Sequence, residues 1–236
     1  MKIKFFFLLI IIALLDNQIF SQLQVVGAMK NVMWKGQLQG VINLDTIKPN
    51  NHLYGMGPVE ELSGEILILD GHFYQSKVLS DSSMKVIESS KVKAPFFAYQ
   101  NIENWKEIVL PDSVVDLKTL ENYLIAAKDS FLDAGLAQPF FFKISAKIDE
   151  ANIHIVNHPI GQKVKSPADA HQGQKNYNLN SEKVEILGFF STNHQTIFTH
   201  HDTFFHLHLI TEDKTKMGHL ESVQFQKGTI MFFIPN

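Results

Sequence analysis

Hydrophobic positions recur with two different periods along this chain. In GEILILDGHFYQ, apolar and β-branched residues around Ile66 and Ile68 run up to Asp70-Gly71, a two-residue turn signal, and then resume. That pattern predicts a β-hairpin. KAPFFAYQNI predicts another strand, entered after Pro95. The period then changes: Leu117, Leu120, Leu124 and Ala127 fall at i, i+3, i+7 and i+10 behind Asp116, a helix-capping residue type. A helix therefore starts after Asp116 with one apolar stripe, and its place between two strand-rich halves predicts that it packs across both. Further on, PFFFKISAKIDEANIHIVNHP sets Ile153 and Ile155 against His154 and Val156, and Asp149 to Asn152 read as the turn of a second hairpin. Pro159 to Asn180 is polar and rich in Gly, Gln and Asn, which predicts a long loop, and from Val184 the chain returns to strands. VVGAMKNVMWKGQLQGVINLDTI has no clean period and opens with either a helix or a strand. The whole predicts an α+β fold: mixed β-sheets in two strand-rich halves with a helix between.

Composition adds limits. With 236 residues, 45% of them hydrophobic, the chain can bury one sizeable core or two small lobes. A net charge of -3 without runs of one sign leaves no footprint for nucleic acid or an anionic membrane surface. Residues 1–21 set Lys2 and Lys4 ahead of an apolar run from Phe5 to Leu15 and reach a small residue at Ser21, the layout of a secretory signal peptide. The run falls short of the roughly 20 apolar residues a membrane span needs. The expectation is an exported protein, periplasmic or secreted, whose mature domain is residues 22–236 and holds to no membrane. Cleavage removes Lys2, Lys4 and Asp16 and leaves a formal charge of -4. There is no Cys, so a metal would have to be held by His and carboxylate. There is also no Arg: all 21 cationic side chains are Lys, which carry charge without a planar bidentate fork.

Six of the eleven histidines lie between His194 and His219. In a strand FHLHLIT, His206 and His208 share one face while Phe205, Leu207 and Leu209 take the other. A turn centred on Asp213-Lys214 then sets His208 opposite His219, on the same side of the sheet. Three imidazoles converge from one hairpin, the ligand set of a zinc site with an open position. Glu65, at the start of its strand, is the candidate fourth ligand or acid/base, and His194, His200 and His201 are candidates to orient the ligands.

YGMGPVEELSGEILILDGHFYQ with KAPFFAYQNI, and GFFSTNHQTIF with FHLHLITEDKTKMGHL, resemble the two halves of the bacterial alpha-acetolactate decarboxylases over most of the mature chain. The resemblance implies a Zn²⁺ held by His206, His208 and His219 with Glu65 beside it, a small 2-hydroxy-3-keto acid as substrate, and conversion of 2-acetolactate to acetoin and carbon dioxide. A homodimer is the assembly it leaves open. Two departures stand out. Where the family carries an arginine on the strand before the long loop, this chain has Asn157 or its neighbour His158, so the substrate carboxylate is left to Asn157, His158, Lys143 or Lys163. The family's C-terminal tail supplies a carboxylate, whereas here seventeen residues follow His219. These departures favour an alternative, a secreted metal- or ligand-binding homologue without the reaction. HLHLITE, His206-x-His208-x-x-x-Glu212, also fits the first metal motif of cupin enzymes.

Overall fold

The computed structural model describes residues 22–48 and 51–236, so the leader-like segment 1–21 lies outside the described residues. Strand β1 (Gln24–Gly27) and helix α1 (Met29–Lys35) open the chain, and the segment without a clean period thus holds both. Strands β2 (Ile42–Asn43), β3 (Leu53–Pro58), β4 (Glu65–Leu69), β5 (His72–Ser80), β6 (Ser83–Glu88), β7 (Lys93–Ala94), β8 (Phe96–Asn101) and β9 (Trp105–Ile108) lead to helix α2 (Leu117–Asp133). The second half runs β10 (Phe140–Ile155), helix α3 (Pro167–Ala170), β11 (Lys175–Asn180), β12 (Lys183–Phe190), β13 (Phe205–Thr211), β14 (Met217–Phe225) and β15 (Met231–Pro235). Among the described residues no helix is long and apolar enough to cross a membrane.

The first sheet is antiparallel, in the order β1-β8-β3-β4-β5-β6. Its β4–β5 hairpin turns on Asp70 and Gly71, at φ 48° and 78°, the two left-handed positions that a tight hairpin turn of this kind needs. One face buries Ile66, Ile68 and Phe97; the other presents Leu67, Leu69, Tyr54 and Met56 to the second half.

The second sheet is organised by β10. Asp149 to Asn152 do not form the turn expected of them: β10 runs unbroken for 16 residues. Its first half pairs with β12 and β15 and its second half with β11 and β14, and the pairing with β14 shifts register between Ile148 and Glu150. The polar residues mark a bulge where one strand changes partners, and a bulge bends a strand without reversing it. Likewise the polar stretch after Pro159 is a loop only in part, because Lys175–Asn180 adds β11 to the edge of β10. Strand β12 pairs with both β10 and β13, and β14 with both β13 and β10, so these four strands close into a ring.

The ring's interior holds Phe142, Ile144, Ile186, Phe205, Leu207, Leu209 and Leu220, all buried. Gly188 is needed there because the Phe142 ring occupies the place of a side chain, 2.1 Å from where a Cβ would stand. Helix α2 does not lie across the two halves as its position in the sequence suggested. Its apolar stripe, Leu120, Leu124 and Phe131, packs into the ring's interior cluster. The predicted start holds: Asp116 caps the helix, accepting from the Thr119 N–H at 2.8 Å.

Candidate metal centre

The ring's outer face meets the first sheet, and the histidines lie in that seam. In β13 every residue is buried, with Phe205, Leu207 and Leu209 turned inward to the ring and His206 and His208 outward. The turn over Asp213 and Lys214 sets the register read from the sequence: His208 pairs with His219, Leu209 with Gly218 and Ile210 with Met217. His206, His208 and His219 each offer a ring nitrogen, and these atoms all lie within 4.8 Å of one another. The three imidazoles fit a metal ion.

Their surroundings prepare them as ligands. The His206 Nδ1–H donates to the Phe198 carbonyl at 2.8 Å, which fixes its tautomer and leaves Nε2 free, 3.3 Å from Nε2 of His208. Burial holds all three imidazoles neutral: His206 and His219 fall well below the ordinary histidine range, and His208 falls to about 3. Neutral imidazole is the ligating form, so protons compete little for the site.

Glu65 comes from the other sheet. Gly64 precedes it at φ 154°, where a Cβ would stand 2.3 Å from the Ser76 carbonyl oxygen, so a residue with a side chain could not enter β4 at this angle. The Glu65 carboxyl is buried; its Oε2 is 3.6 Å from His208 Nε2 and its Oε1 accepts from the Val156 N–H at 3.1 Å. Burial pushes its pKa well above the carboxylate range, against the opposing Val156 hydrogen bond. Burial thus favours the protonated form of this acid, beside a cluster of bases that burial keeps neutral.

Of the three histidines considered as orienting groups, the structure brings only His200 to the triad. Its ring centroid is 5.0 Å from that of His219 and 6.2 Å from that of His206, and burial lowers its pKa. His194 bonds to Ser191 Oγ at 2.8 Å, and its carbonyl caps the turn that carries Phe198, so it acts on the loop rather than on the triad. His201 is exposed. Neither Asn157 nor His158 lines the cavity at the triad; His158 is buried with Nε2 3.2 Å from the Gln162 carbonyl. Lys143 is also elsewhere, its ammonium over the rings of Tyr54, Trp105 and Phe233. Glu212 is exposed and pairs with Lys183 at 3.2 Å, so the cupin-like motif lacks its third member.

Three residues were not singled out in the sequence. His154 on β10 lies in register with His219, and their rings stack at 4.7 Å. The His154 Nδ1–H donates to Glu221 at 2.5 Å, which holds the Glu221 carboxyl below its usual range. His171 donates from Nδ1 to the Pro167 carbonyl at 2.6 Å and stands edge-on to His154. His154 had a signal, its alternation with Ile153 and Ile155, which put it opposite the apolar side of its strand. Glu221 and His171 had none, because only the tertiary pairing brings them in.

A family model for alpha-acetolactate decarboxylase matches residues 25–234. The alpha-acetolactate decarboxylase of Brevibacillus brevis is 26% identical over 204 residues, 85% of this chain and 66% of its own. That of Methanosarcina mazei is 25% identical over 196 residues, 82% of this chain and 62% of its own. The chain thus spans just under two thirds of the length of these curated relatives. Among solved structures, the alpha-acetolactate decarboxylase of Bacillus subtilis strain 168 shares the fold, with a TM-score of 0.68 at 20% identity over 92% of this chain and 86% of the other. A Staphylococcus aureus protein of unknown function, similar to alpha-acetolactate decarboxylase, has a TM-score of 0.67 at 16% identity over 91% of this chain and 84% of its own.

Proposed function

The chain belongs to the alpha-acetolactate decarboxylase family, and on that premise we propose that it is a zinc-dependent carbon–carbon lyase that converts 2-acetolactate to acetoin and carbon dioxide. The observation that carries the proposal is a buried three-histidine cluster with a buried carboxyl 3.6 Å from one of its nitrogens. Three imidazoles without a thiolate suit zinc, with a coordination position left for a substrate oxygen. Bound there, zinc supplies a Lewis acid for the hydroxyl and keto oxygens of the substrate.

The chain's own residues account for the rest. His206, His208 and His219 present nitrogen lone pairs, and the Phe198 carbonyl holds the orientation of the first. Loss of carbon dioxide breaks the bond from the carboxyl carbon to C2, and the electron pair left on C2 spreads into the neighbouring carbonyl. One proton must then reach C2, and Glu65 is placed to deliver it, 3.6 Å from His208 Nε2 with burial favouring the protonated form of its carboxyl. After the transfer the Val156 N–H stabilises the carboxylate until it takes up a proton again. Glu65→Gln keeps the size and polarity of the side chain and removes the acid. The variant is expected to bind zinc as tightly as the wild type and lose at least about 100-fold in acetoin formation, the scale of a lost general acid. Unchanged turnover would remove Glu65 from the reaction.

A second reading, a homologue that binds metal and ligand without turnover, is favoured by one observation. The chain has no Arg, and no Lys lines the cavity at the triad. Zinc binding without acetoin would decide for it. The leader-like residues 1–21 support the further proposal that residues 22–236 work after export, which N-terminal sequencing of the protein outside the cytoplasm tests: a first residue at Met1 would refute it.

A further inference from the structure

Ser76 on β5 lies in the seam between the two sheets, fully buried, and its Oγ has no hydrogen-bond partner among the described residues. A buried hydroxyl left unpaired costs stability, so such groups are few in a folded chain. The ladder of the first sheet sets what it can reach. Ser76 pairs with Glu65 of β4 on one side and with Val86 of β6 on the other. Directly opposite residues share a face, and this face carries Leu67, Leu69 and Tyr74 toward the second half. Of its two opposite neighbours, only Glu65 can accept a hydrogen bond.

Glu65 has the complementary need. Its opposite neighbours are Ser76 and Pro58 of β3, and the proline has no donor. Its Oε1 accepts from the Val156 N–H at 3.1 Å, whereas Oε2 stands 3.6 Å from His208 Nε2, too far for a hydrogen bond. An idle donor and an acceptor short of a partner thus face each other across one rung of the ladder, where Cβ atoms are roughly 4.5–5.5 Å apart. Rotation about a single bond moves the serine hydroxyl between its staggered positions. The start of β4 is pinned at this rung, because Gly64 lies against the Ser76 carbonyl oxygen.

We propose that Ser76 is a positioning residue for the decarboxylation: its hydroxyl donates to Oε2 of Glu65 and holds the carboxyl toward the triad while the proton passes to C2. The assignment rests on the function proposed above. Two donors then hold the two carboxyl oxygens, the Val156 N–H on Oε1 and the Ser76 O–H on Oε2. Val156 belongs to the second half and Ser76 to the first, so the acid is gripped from both sides of the seam. Without the serine hydroxyl the carboxyl keeps one hydrogen bond and takes up orientations that do not aim at the substrate carbon. The Ser76 bond strengthens as Oε2 gives its proton to C2 and becomes anionic. It therefore acts on turnover rather than on substrate binding.

The test compares the zinc-loaded wild type with Ser76→Ala, Ser76→Thr and Ser76→Val. Ser76→Ala is expected to lower kcat for acetoin formation about 3- to 10-fold, the scale of one hydrogen bond, with KM unchanged. Ser76→Thr and Ser76→Val differ in the hydroxyl at nearly equal size, so the Thr variant should exceed the Val variant by a similar factor even where the added bulk slows both. The visible spectrum of the cobalt-substituted protein reads the three ligands and should be the same throughout. A second readout needs no turnover: the infrared band of the Glu65 carboxyl, identified by its loss in Glu65→Gln, should shift in Ser76→Ala and Ser76→Val and keep its wild-type position in Ser76→Thr. Equal kcat in the Thr and Val variants, or an unshifted band in Ser76→Ala, overturns the proposal. A wild type that forms no acetoin would refute the reaction, and the band would still decide the contact between Ser76 and Glu65.

Discussion

Lowering the pH from 7.5 to 5.5 should leave the zinc affinity of the folded protein almost unchanged. Three exposed imidazoles with ordinary values near 6.5 would each be about nine-tenths protonated at pH 5.5. Protons would then weaken a three-histidine site about 10³-fold, roughly 4 kcal/mol. Here burial holds His208 at about 3 and keeps His206 and His219 well below the ordinary range, so the metal displaces few protons. The expected loss is far smaller than that 10³-fold. The assay is zinc competition against a chromophoric chelator of known proton affinity, on the wild type and on Glu65→Gln, so that the buried acid is left out of the count. A loss of about 100-fold or more in both proteins would refute the argument from burial. A loss confined to the wild type would make Glu65 a ligand that gives up its proton to the metal. The metal-free protein shows the opposite side of the same linkage. Its unfolded chain binds protons on these imidazoles below about pH 6.5 and the folded chain does not, so their contribution to stability is complete above that pH. It falls by about 1.4 kcal/mol per imidazole per pH unit as the pH drops toward the folded values. Glu65 has the reverse sign: its raised pKa stabilises the fold at low pH, and this is lost as the pH rises through the folded value.

Four further outcomes follow from particular contacts. His219→Ala removes a ligand and should cost zinc affinity more than the roughly 10- to 100-fold typical of losing a partner behind a ligand; retention of tight stoichiometric zinc would exclude the triad. His154→Ala removes the ring stacked on His219 and the partner of Glu221, and should lower unfolding stability by about 1–3 kcal/mol in a denaturant titration. Gly64→Ala puts a Cβ 2.3 Å from the Ser76 carbonyl oxygen at φ 154°, and should cost about 1–3 kcal/mol in the same titration while displacing Glu65. Leu124→Ala, in the core between α2 and the strand ring, should cost about 2–5 kcal/mol and leave the cobalt spectrum of the site unchanged.

The sequence made local arrangements readable and left long-range ones hidden. The hairpin of β13 and β14 was legible to the residue, because a turn centred on Asp213-Lys214 and strict alternation between apolar and histidine positions leave one register. The start of α2 was legible from Asp116 and the spacing of its leucines, yet the surface it covers was not, since nothing local says that the strands behind it close into a ring. Asp149 to Asn152 have the composition of a turn and form a bulge, because β10 exchanges β12 and β15 for β11 and β14 at that point. The candidate site divides in the same way. The triad comes from one hairpin and was found; the His154–Glu221 pair joins two strands 67 positions apart and was missed.

The most direct test of the account is acetoin formation from racemic 2-acetolactate by purified residues 22–236, stripped of metal and titrated with zinc, alongside His208→Ala. The account requires no acetoin without metal, activity that saturates at one zinc per chain, and none from His208→Ala at any zinc concentration. Acetoin formed equally well by the metal-free protein, or by His208→Ala, would contradict it, and so would a fully zinc-loaded wild type that leaves 2-acetolactate untouched.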